Sequence, residues 1–174
     1  MSIKSRKVGI IGVGNVGSHV AFSIVTRGIC DELVLIDIKE DKVKSEMLDL
    51  KDSLANLDSN MIIKSQDYSE LKDAEILVIA AGPLPRFEQT RLDTLDDGVK
   101  IIDNIMPKVL QSGFDGIILV ITNPCDVISH YVWKKSGFPK NRVIGTGTSL
   151  DSARFKRIMS DIMNIDPKSI QGYS

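Results

Sequence analysis

Apolar positions along this chain fall into two alternating patterns. Short β-branched runs occur at Lys7–Ile11, Leu33–Ile36, Ile62–Lys64, Ile76–Ala80, Ile117–Thr122 and Val143–Gly145. The run Ile76-Leu-Val-Ile-Ala-Ala81 and the run Ile117-Ile-Leu-Val-Ile121 show no polar alternation. Such strands are apolar on both faces, as a parallel sheet covered by helices on both sides requires. Between the runs, apolar residues recur at helical spacing over Val16–Arg27, Glu40–Leu57, Ser69–Lys72, Leu92–Ser112, Asp126–Lys135 and Leu150–Met163. Gly28, Gly113 and Gly137 each fall just past a helical stretch, where a left-handed residue closes the helix. The order βαβαβ followed by αβαβ predicts a doubly wound α/β fold around a parallel sheet. The segment Pro83 to Gln89 follows a strand and holds two prolines. It reads as a loop at the strand's C-terminal end, where ligands of such sheets bind.

Composition narrows the class. A length of 174 residues supports one domain of ordinary size. The net charge of −1 gives no reason to expect a nucleic-acid or membrane-surface partner. No apolar run approaches the ~20 residues of a membrane span. The basic start Met1–Lys7 leads into a run too short for a secretory signal. Cys30 and Cys125 are far apart and lack metal-ligand spacing, so they read as reduced thiols of a cytoplasmic protein, and no metal is expected.

Candidate chemistry begins directly after the first strand. Gly12-Val-Gly-Asn-Val-Gly17 matches G-x-G-x-x-G. In a Rossmann-type nucleotide fold, the first glycine permits the tight turn, the second admits the pyrophosphate and the third lets the helix pack on the strand. The helix opening near Val16 directs N–H groups and a partial positive charge at the phosphates. Gly12, Gly14, Asn15, Val16 and Gly17 are therefore candidate cofactor ligands. The hexapeptide alone is weak, since glycine-rich turns without a ligand are common. Asp37 strengthens it, because it stands 20 residues beyond Gly17 at the end of the second strand. A carboxylate there accepts hydrogen bonds from ribose hydroxyls and repels a 2′-phosphate, which favours NAD over NADP.

At this point the sequence resembles the lactate/malate dehydrogenase family, on its L-lactate and L-2-hydroxyisocaproate side. The resemblance rests on Gly12–Gly17, Asp37, Ala80-Ala-Gly-Pro83 leading to Gln89-Thr-Arg-Leu-Asp93, Thr122-Asn-Pro-Cys-Asp126, and Gly145-Thr-Gly-Thr-Ser-Leu-Asp-Ser-Ala-Arg-Phe155. It implies an NAD-dependent oxidoreductase of small 2-keto and 2-hydroxy acids, assembled as a homodimer or homotetramer. By the same mapping Arg91 closes over the substrate and polarises its carbonyl. Arg154 clamps the substrate carboxylate, and Asp151 orients the catalytic histidine. Asn123 contacts substrate and nicotinamide ribose. Gly82 and Pro83 line the cofactor crevice, and Val16 packs near the adenosine. Cys125 replaces the usual valine, a small packing change. The mapping divides the chain into a nucleotide-binding unit, residues 1–146, and the start of a substrate unit, residues 147–174.

Two features limit the reading. The family's proton donor is a histidine in a Gly-Glu-His-Gly segment expected just past Ser174. His19 and His130 do not match it and read as structural or surface residues. The expectation is that these 174 residues bind NAD without turnover. A non-catalytic NAD-binding module is the alternative from a different class, although such a module has no need of Arg91, Asp151 and Arg154 together. The specificity position, six residues before the loop arginine, is Pro85. Proline cannot pair with a second carboxylate, which disfavours malate. Lactate is expected, with a bulkier 2-hydroxy acid such as 2-hydroxyisocaproate as the alternative. Lys156 and Tyr173 depart from the sugar-phosphate-activated pattern, so such activation is not implied.

Overall fold

The computed structural model describes residues 5–83, 90 and 93–173. Its strands are β1 (Lys7–Ile11), β2 (Glu32–Ile36), β3 (Ile62–Ser65), β4 (Ile76–Ile79), β5 (Ile117–Val120) and β6 (Val143–Gly145). Its helices are α1 (Asn15–Arg27), α2 (Glu40–Leu54), α3 (Leu95–Gln111), α4 (Cys125–Ser136) and α5 (Ser149–Met163). All strand pairs are parallel, in the order β3-β2-β1-β4-β5-β6. The doubly wound sheet inferred from the apolar runs is the sheet observed.

The two-residue period of a strand sends neighbouring side chains to opposite faces. Val8, Ile10, Leu33, Leu35, Ile63 and Val78 face a core built with Ala21, Ile24 and Val25 of α1 and Val43 and Leu50 of α2. Ile11, Val34, Ile36, Leu77, Ile79, Ile118 and Val120 face the other core, built with Ile102, Ile105, Met106 and Val109 of α3 and Ile128 and Val132 of α4. Ile10, Leu35, Leu77, Ile79 and Ile118 are fully buried. Burial of each such side chain contributes about 1.5–3 kcal/mol. The central strands are apolar on both faces because helices cover both.

The helix ends follow local chemistry. Gly28 (φ +58°) and Gly137 (φ +67°) take the left-handed closing position of α1 and α4. Gly113 (φ +82°) follows α3 after Ser112. Several expected bounds need correction: α3 begins at Leu95 rather than Leu92, and β4 and β5 end at Ile79 and Val120. The helix foreseen at Ser69–Lys72 is a single 3-10 turn, Tyr68–Leu71, in which the Asp67 carboxylate accepts from Ser69 N–H at 2.8 Å. Four residues between two strands are too few to carry an α-helix past its nucleation cost. Helix α2 ends at Leu54 rather than Leu57, and Ala55, Asn56 and Leu57 continue as turns bonded three residues back.

The strand order matters for function. From β1 the chain winds outward to β2 and β3, then returns to β4 on the other side of β1. Ligands of such sheets bind outside the strand C-termini at that reversal. Because all strands are parallel, the C-terminal ends of β1, β2, β4, β5 and β6 share one rim.

The opposite rim holds a cluster of charge pairs. Lys7 Nζ lies 3.3 Å from Glu32 and 3.2 Å from Glu70, and Lys64 Nζ lies 2.7 Å from Glu70. Arg6 pairs with Asp31 at 2.7 Å.

Candidate functional site

The turn after β1 is shaped by two contacts that only glycine allows. Gly12 sits at φ +95°, and a Cβ there would fall on the backbone of Ala81. Gly12 thus brings the end of β1 against the end of β4 at the reversal point. A Cβ at Gly17 would fall on the Gly12 carbonyl oxygen, so helix α1 rests directly on the turn. Gly14 differs from both, because nothing lies within 4 Å of a Cβ built there. The space above Gly14 is open.

That space faces the N-terminus of α1. The first turn of any α-helix leaves N–H groups without intrahelical partners. Gly14 stands at the cap position, and no side chain caps the helix. Helices α2, α3, α4 and α5 each carry an acidic residue in the first turn, whereas α1 carries none. The positive end of α1 is therefore uncompensated by its own side chains, and an anionic group would compensate it. Asn15 and Val16 open the helix on the exposed side, with Val16 53% exposed. This arrangement fits a pyrophosphate.

Asp37 stands just beyond β2, beside the glycine turn. Its Oδ2 accepts from Val13 N–H at 2.7 Å, and its Oδ1 accepts from Lys39 N–H at 3.0 Å. Each carboxylate oxygen keeps a lone pair for a further donor. The carboxylate is half-buried and held in place, with acceptor capacity to spare. This pair of acceptors fits a ribose diol. Tyr68 lies near enough to sense it. Burial pushes the Tyr68 phenol up, and the negative charge of Asp37 adds to the rise.

On the other side of the reversal, Ala80–Pro83 follow β4. A Cβ at Gly82 would meet Thr122 Cγ2 at 2.7 Å, so the segments after β4 and β5 are in close contact there. The buried Thr122 hydroxyl donates toward Ala81 O at 2.8 Å. Next to it Asn123 is exposed at the rim, before the cis peptide to Pro124. Gly82, Pro83 and Asn123 are thus brought to the same rim as Gly12 and Asp37. Pro85 and Arg91 lie outside the described residues.

Helix α5 starts at this rim after β6. Thr146 N–H donates to Val120 O at 3.0 Å, which ties the start of the connection to the end of β5. Arg154 and Asp151 are both exposed on α5, and Arg154 Nη1 lies 3.1 Å from Asp151 Oδ1. Three residues apart on α5, they share a helix face and form an ion pair. Neither histidine stands with them on α5. His19 bonds through Nδ1 to Asn15 O within α1, and His130 of α4 sits edge-on to Trp133. Among the described residues no cluster of three or more His, Cys, Asp or Glu could hold a metal ion. No helix among them is long and apolar enough to cross a membrane. Both cysteines are free and buried.

The contacts that three residues make at the site were not read from the sequence. Val13 contributes only its backbone N–H, and Thr122 reads as an ordinary strand-end residue. Gln66 lies beyond β3, yet both ends of its side-chain amide bond the backbone of Asp37, with Nε2 donating at 2.8 Å.

A parallel sheet reversing at β1, an open glycine cradle under an uncapped helix and a fixed strand-end carboxylate together define a dinucleotide-binding domain. Residues 6–145 match the family described as lactate/malate dehydrogenase, NAD binding domain. The chain belongs to the lactate/malate dehydrogenase family and comprises its NAD-binding domain.

Among similar curated proteins is L-lactate dehydrogenase 3 of Bacillus cereus. It is 48% identical over 174 residues, covering 100% of this chain and 55% of that protein. L-lactate dehydrogenase of Fusobacterium nucleatum is 47% identical over 171 residues, covering 98% of this chain and 54% of that protein. The crystal structure of minor L-lactate dehydrogenase from Enterococcus mundtii in its ligands-bound form superposes with a TM-score of 0.93. Its identity is 40%, over 98% of this chain and 55% of that one. The chain spans about half the length of these relatives.

Proposed function

We propose that this chain is the NAD-holding portion of an L-lactate dehydrogenase, which transfers hydride between NADH and pyruvate. The observation that carries the reading is the Asp37 carboxylate fixed beside an open glycine cradle at the start of α1. The relatives named L-lactate dehydrogenase, 47–48% identical over nearly the whole chain, support the choice of reaction. In this reading the amides around Gly14, Asn15 and Val16 receive the pyrophosphate, with Gly12 and Gly17 shaping the turn that holds them. Asp37 receives the adenosine ribose and rejects a 2′-phosphate. Gly82, Pro83 and Asn123 line the nicotinamide side. When bound, NADH supplies the hydride.

Arg154 takes the substrate carboxylate through its fork of donors, a geometry suited to a planar carboxylate. Asp151 is then released from its pair with Arg154 and orients a histidine supplied from outside the described residues. Arg91 polarises the reacting carbonyl. Pro85 at the specificity position carries no charge, which favours a substrate with one carboxylate over malate. The working protein is cytoplasmic and a homo-oligomer. The boundary between the nucleotide unit and the start of the substrate unit falls at residues 146 and 147. The end of the family match at residue 145 and the absence of any buried residue in α5 support it.

The test has two parts. The 174-residue chain should quench or enhance NADH fluorescence saturably, yet give no sustained NADH oxidation with pyruvate. The protein expressed from its whole reading frame should reduce pyruvate with a higher kcat/KM than 2-ketoisocaproate or oxaloacetate. A preference for oxaloacetate refutes the substrate assignment, and failure of the chain to bind NADH refutes the cofactor site.

A further inference from the structure

The last rung of the sheet beside Asp37 is made by a side chain. β2 pairs with β3 up to Leu35 opposite Ser65. Gln66 N–H then donates to Leu35 O at 2.9 Å. In a parallel ladder the next rung would join the N–H and C=O of Asp37 to backbone groups of the neighbouring strand. The backbone cannot provide them, because Gln66 turns into the left-handed region at φ +65° and the chain enters the 3-10 turn. The Gln66 side chain provides both. Its Oε1 accepts from Asp37 N–H at 3.1 Å, and its Nε2 donates to Asp37 O at 2.8 Å. A primary amide carries an acceptor and donors on one planar group, so it can stand in for the missing peptide.

The backbone position is itself informative. Left-handed geometry is disfavoured for a residue with a long side chain, and glycine would adopt it freely. Strain of this kind persists where the surroundings enforce it, and it gathers at functional sites. Here the strained residue is bonded to the backbone of Asp37, whose carboxylate lies beside the glycine turn.

We propose that Gln66 is a positioning residue for the cofactor. It locks the backbone of Asp37 so that the carboxylate stays aimed at the adenosine ribose, and so sets both NAD affinity and discrimination against a 2′-phosphate. This rests on the reading of Asp37 as the ribose ligand. The carboxylate is tethered to Val13 of the β1 turn and to Lys39, two residues along its own chain. Both tethers depend on where the Asp37 backbone sits. Without the amide rung the backbone of Asp37 loses its two bonds to the β3 side. Part of its order must then be regained at each binding event, which weakens affinity.

The experiment titrates NADH and NADPH by cofactor fluorescence into the wild-type chain and four variants: Gln66→Gly, Gln66→Glu, Asp37→Ala and the double variant Gln66→Gly/Asp37→Ala. Urea melts are recorded in parallel. Gln66→Gly removes the rung and relieves the strained φ, so the fold is retained. It should weaken NADH binding about tenfold, as expected for the loss of two hydrogen bonds. NADPH binding should hold within about twofold, because Asp37 makes no favourable contact with a 2′-phosphate. The ratio Kd(NADPH)/Kd(NADH) should therefore fall about tenfold, in step with the loss of NADH affinity. Gln66→Glu keeps the acceptor and loses the donor, so its ratio should lie between the two. In the Asp37→Ala background Gln66→Gly should have no further effect.

If Gln66→Gly binds NADH like wild type while Asp37→Ala does not, the positioning role is overturned and the Asp37 reading stands. If Asp37→Ala binds NADH like wild type, the Asp37 reading falls and the inference falls with it. Equal weakening of both cofactors by Gln66→Gly, or a loss that persists in the Asp37→Ala background, assigns Gln66 a general structural role and also overturns the proposal.

Discussion

The carboxylate of Asp37 accepts the backbone N–H of Val13 at 2.7 Å, which joins the end of β2 to the glycine turn after β1. One side chain thus fixes the relative position of the two halves of the nucleotide site. In the proposed function it also receives the adenosine ribose.

Replacing Asp37 by Ser together with Ile38→Arg should reverse cofactor preference. Ile38 is 93% exposed, so an arginine there projects freely and can meet a 2′-phosphate. NADH affinity should fall about 10- to 100-fold, the size of one charge-assisted hydrogen-bonding group. NADPH affinity should rise. Fluorescence titration with both cofactors checks it, and an unchanged preference removes the ribose role from Asp37.

Two glycines of the turn should respond in opposite ways. Gly14→Ala meets no atom within 4 Å and has φ −78°, so stability should stay within ~0.5 kcal/mol. NADH binding should nevertheless drop severely, because the methyl enters the space proposed for the pyrophosphate. Gly17→Ala drives its methyl onto Gly12 O and should cost ~1–3 kcal/mol of folding stability. Urea denaturation combined with NADH titration separates the two effects.

Arg154→Lys should leave the thermal midpoint of the chain nearly unchanged, because the exposed pair with Asp151 contributes only ~0–1 kcal/mol. In the protein expressed from its whole reading frame, kcat/KM for pyruvate should fall about 100-fold or more, since a lysine cannot grip a carboxylate with a fork. Equal activity of the variant would remove the clamp role.

Stability should fall at both ends of the pH scale, for separate reasons. The Arg6 guanidinium holds the Asp31 carboxyl at about 2. A pKa lowered in the folded state gives stabilisation that is complete above the unfolded value of ~4 and is lost as pH falls toward about 2. Glu70 is lowered as well, chiefly by its hydrogen bond from Lys64. Burial, helped by the charge of Asp31, raises the Cys30 thiol to about 11. A pKa raised in the folded state gives stabilisation that is complete below the unfolded value of ~8.5 and is lost as pH climbs toward about 11. Urea midpoints from pH 2 to 11 should show Asp31→Asn lacking part of the acid limb and Cys30→Ala lacking part of the alkaline limb. Parallel curves for wild type and variant would refute each assignment.

The sheet was legible because its central strands are short, β-branched runs apolar on both faces, too short for a buried helix. Helix ends were legible where a glycine closes them. The 3-10 turn at Tyr68–Leu71 was misread because one turn of either helix type has the same apolar spacing. Gly12, Gly17 and Asp37 were legible because tight turns and strand-end carboxylates need those residue types at those intervals. Gln66 was not, since its role depends on a left-handed backbone and a rung made by a side chain, neither of which leaves a periodic trace. Arg154 and Asp151 reached the reading through family resemblance, and the structure adds their ion pair.

Parallel strands also sort the molecule by sensitivity. The Lys7, Glu32, Lys64 and Glu70 quartet and the Arg6–Asp31 pair gather where the strands begin, while the cofactor groups gather where they end. Acid that protonates Asp31 or Glu70 therefore acts at the rim away from the glycine turn. Charge substitutions at Arg6, Lys7, Glu32 or Asp31 thus alter the ionic contribution to stability at the end of the sheet away from the glycine turn.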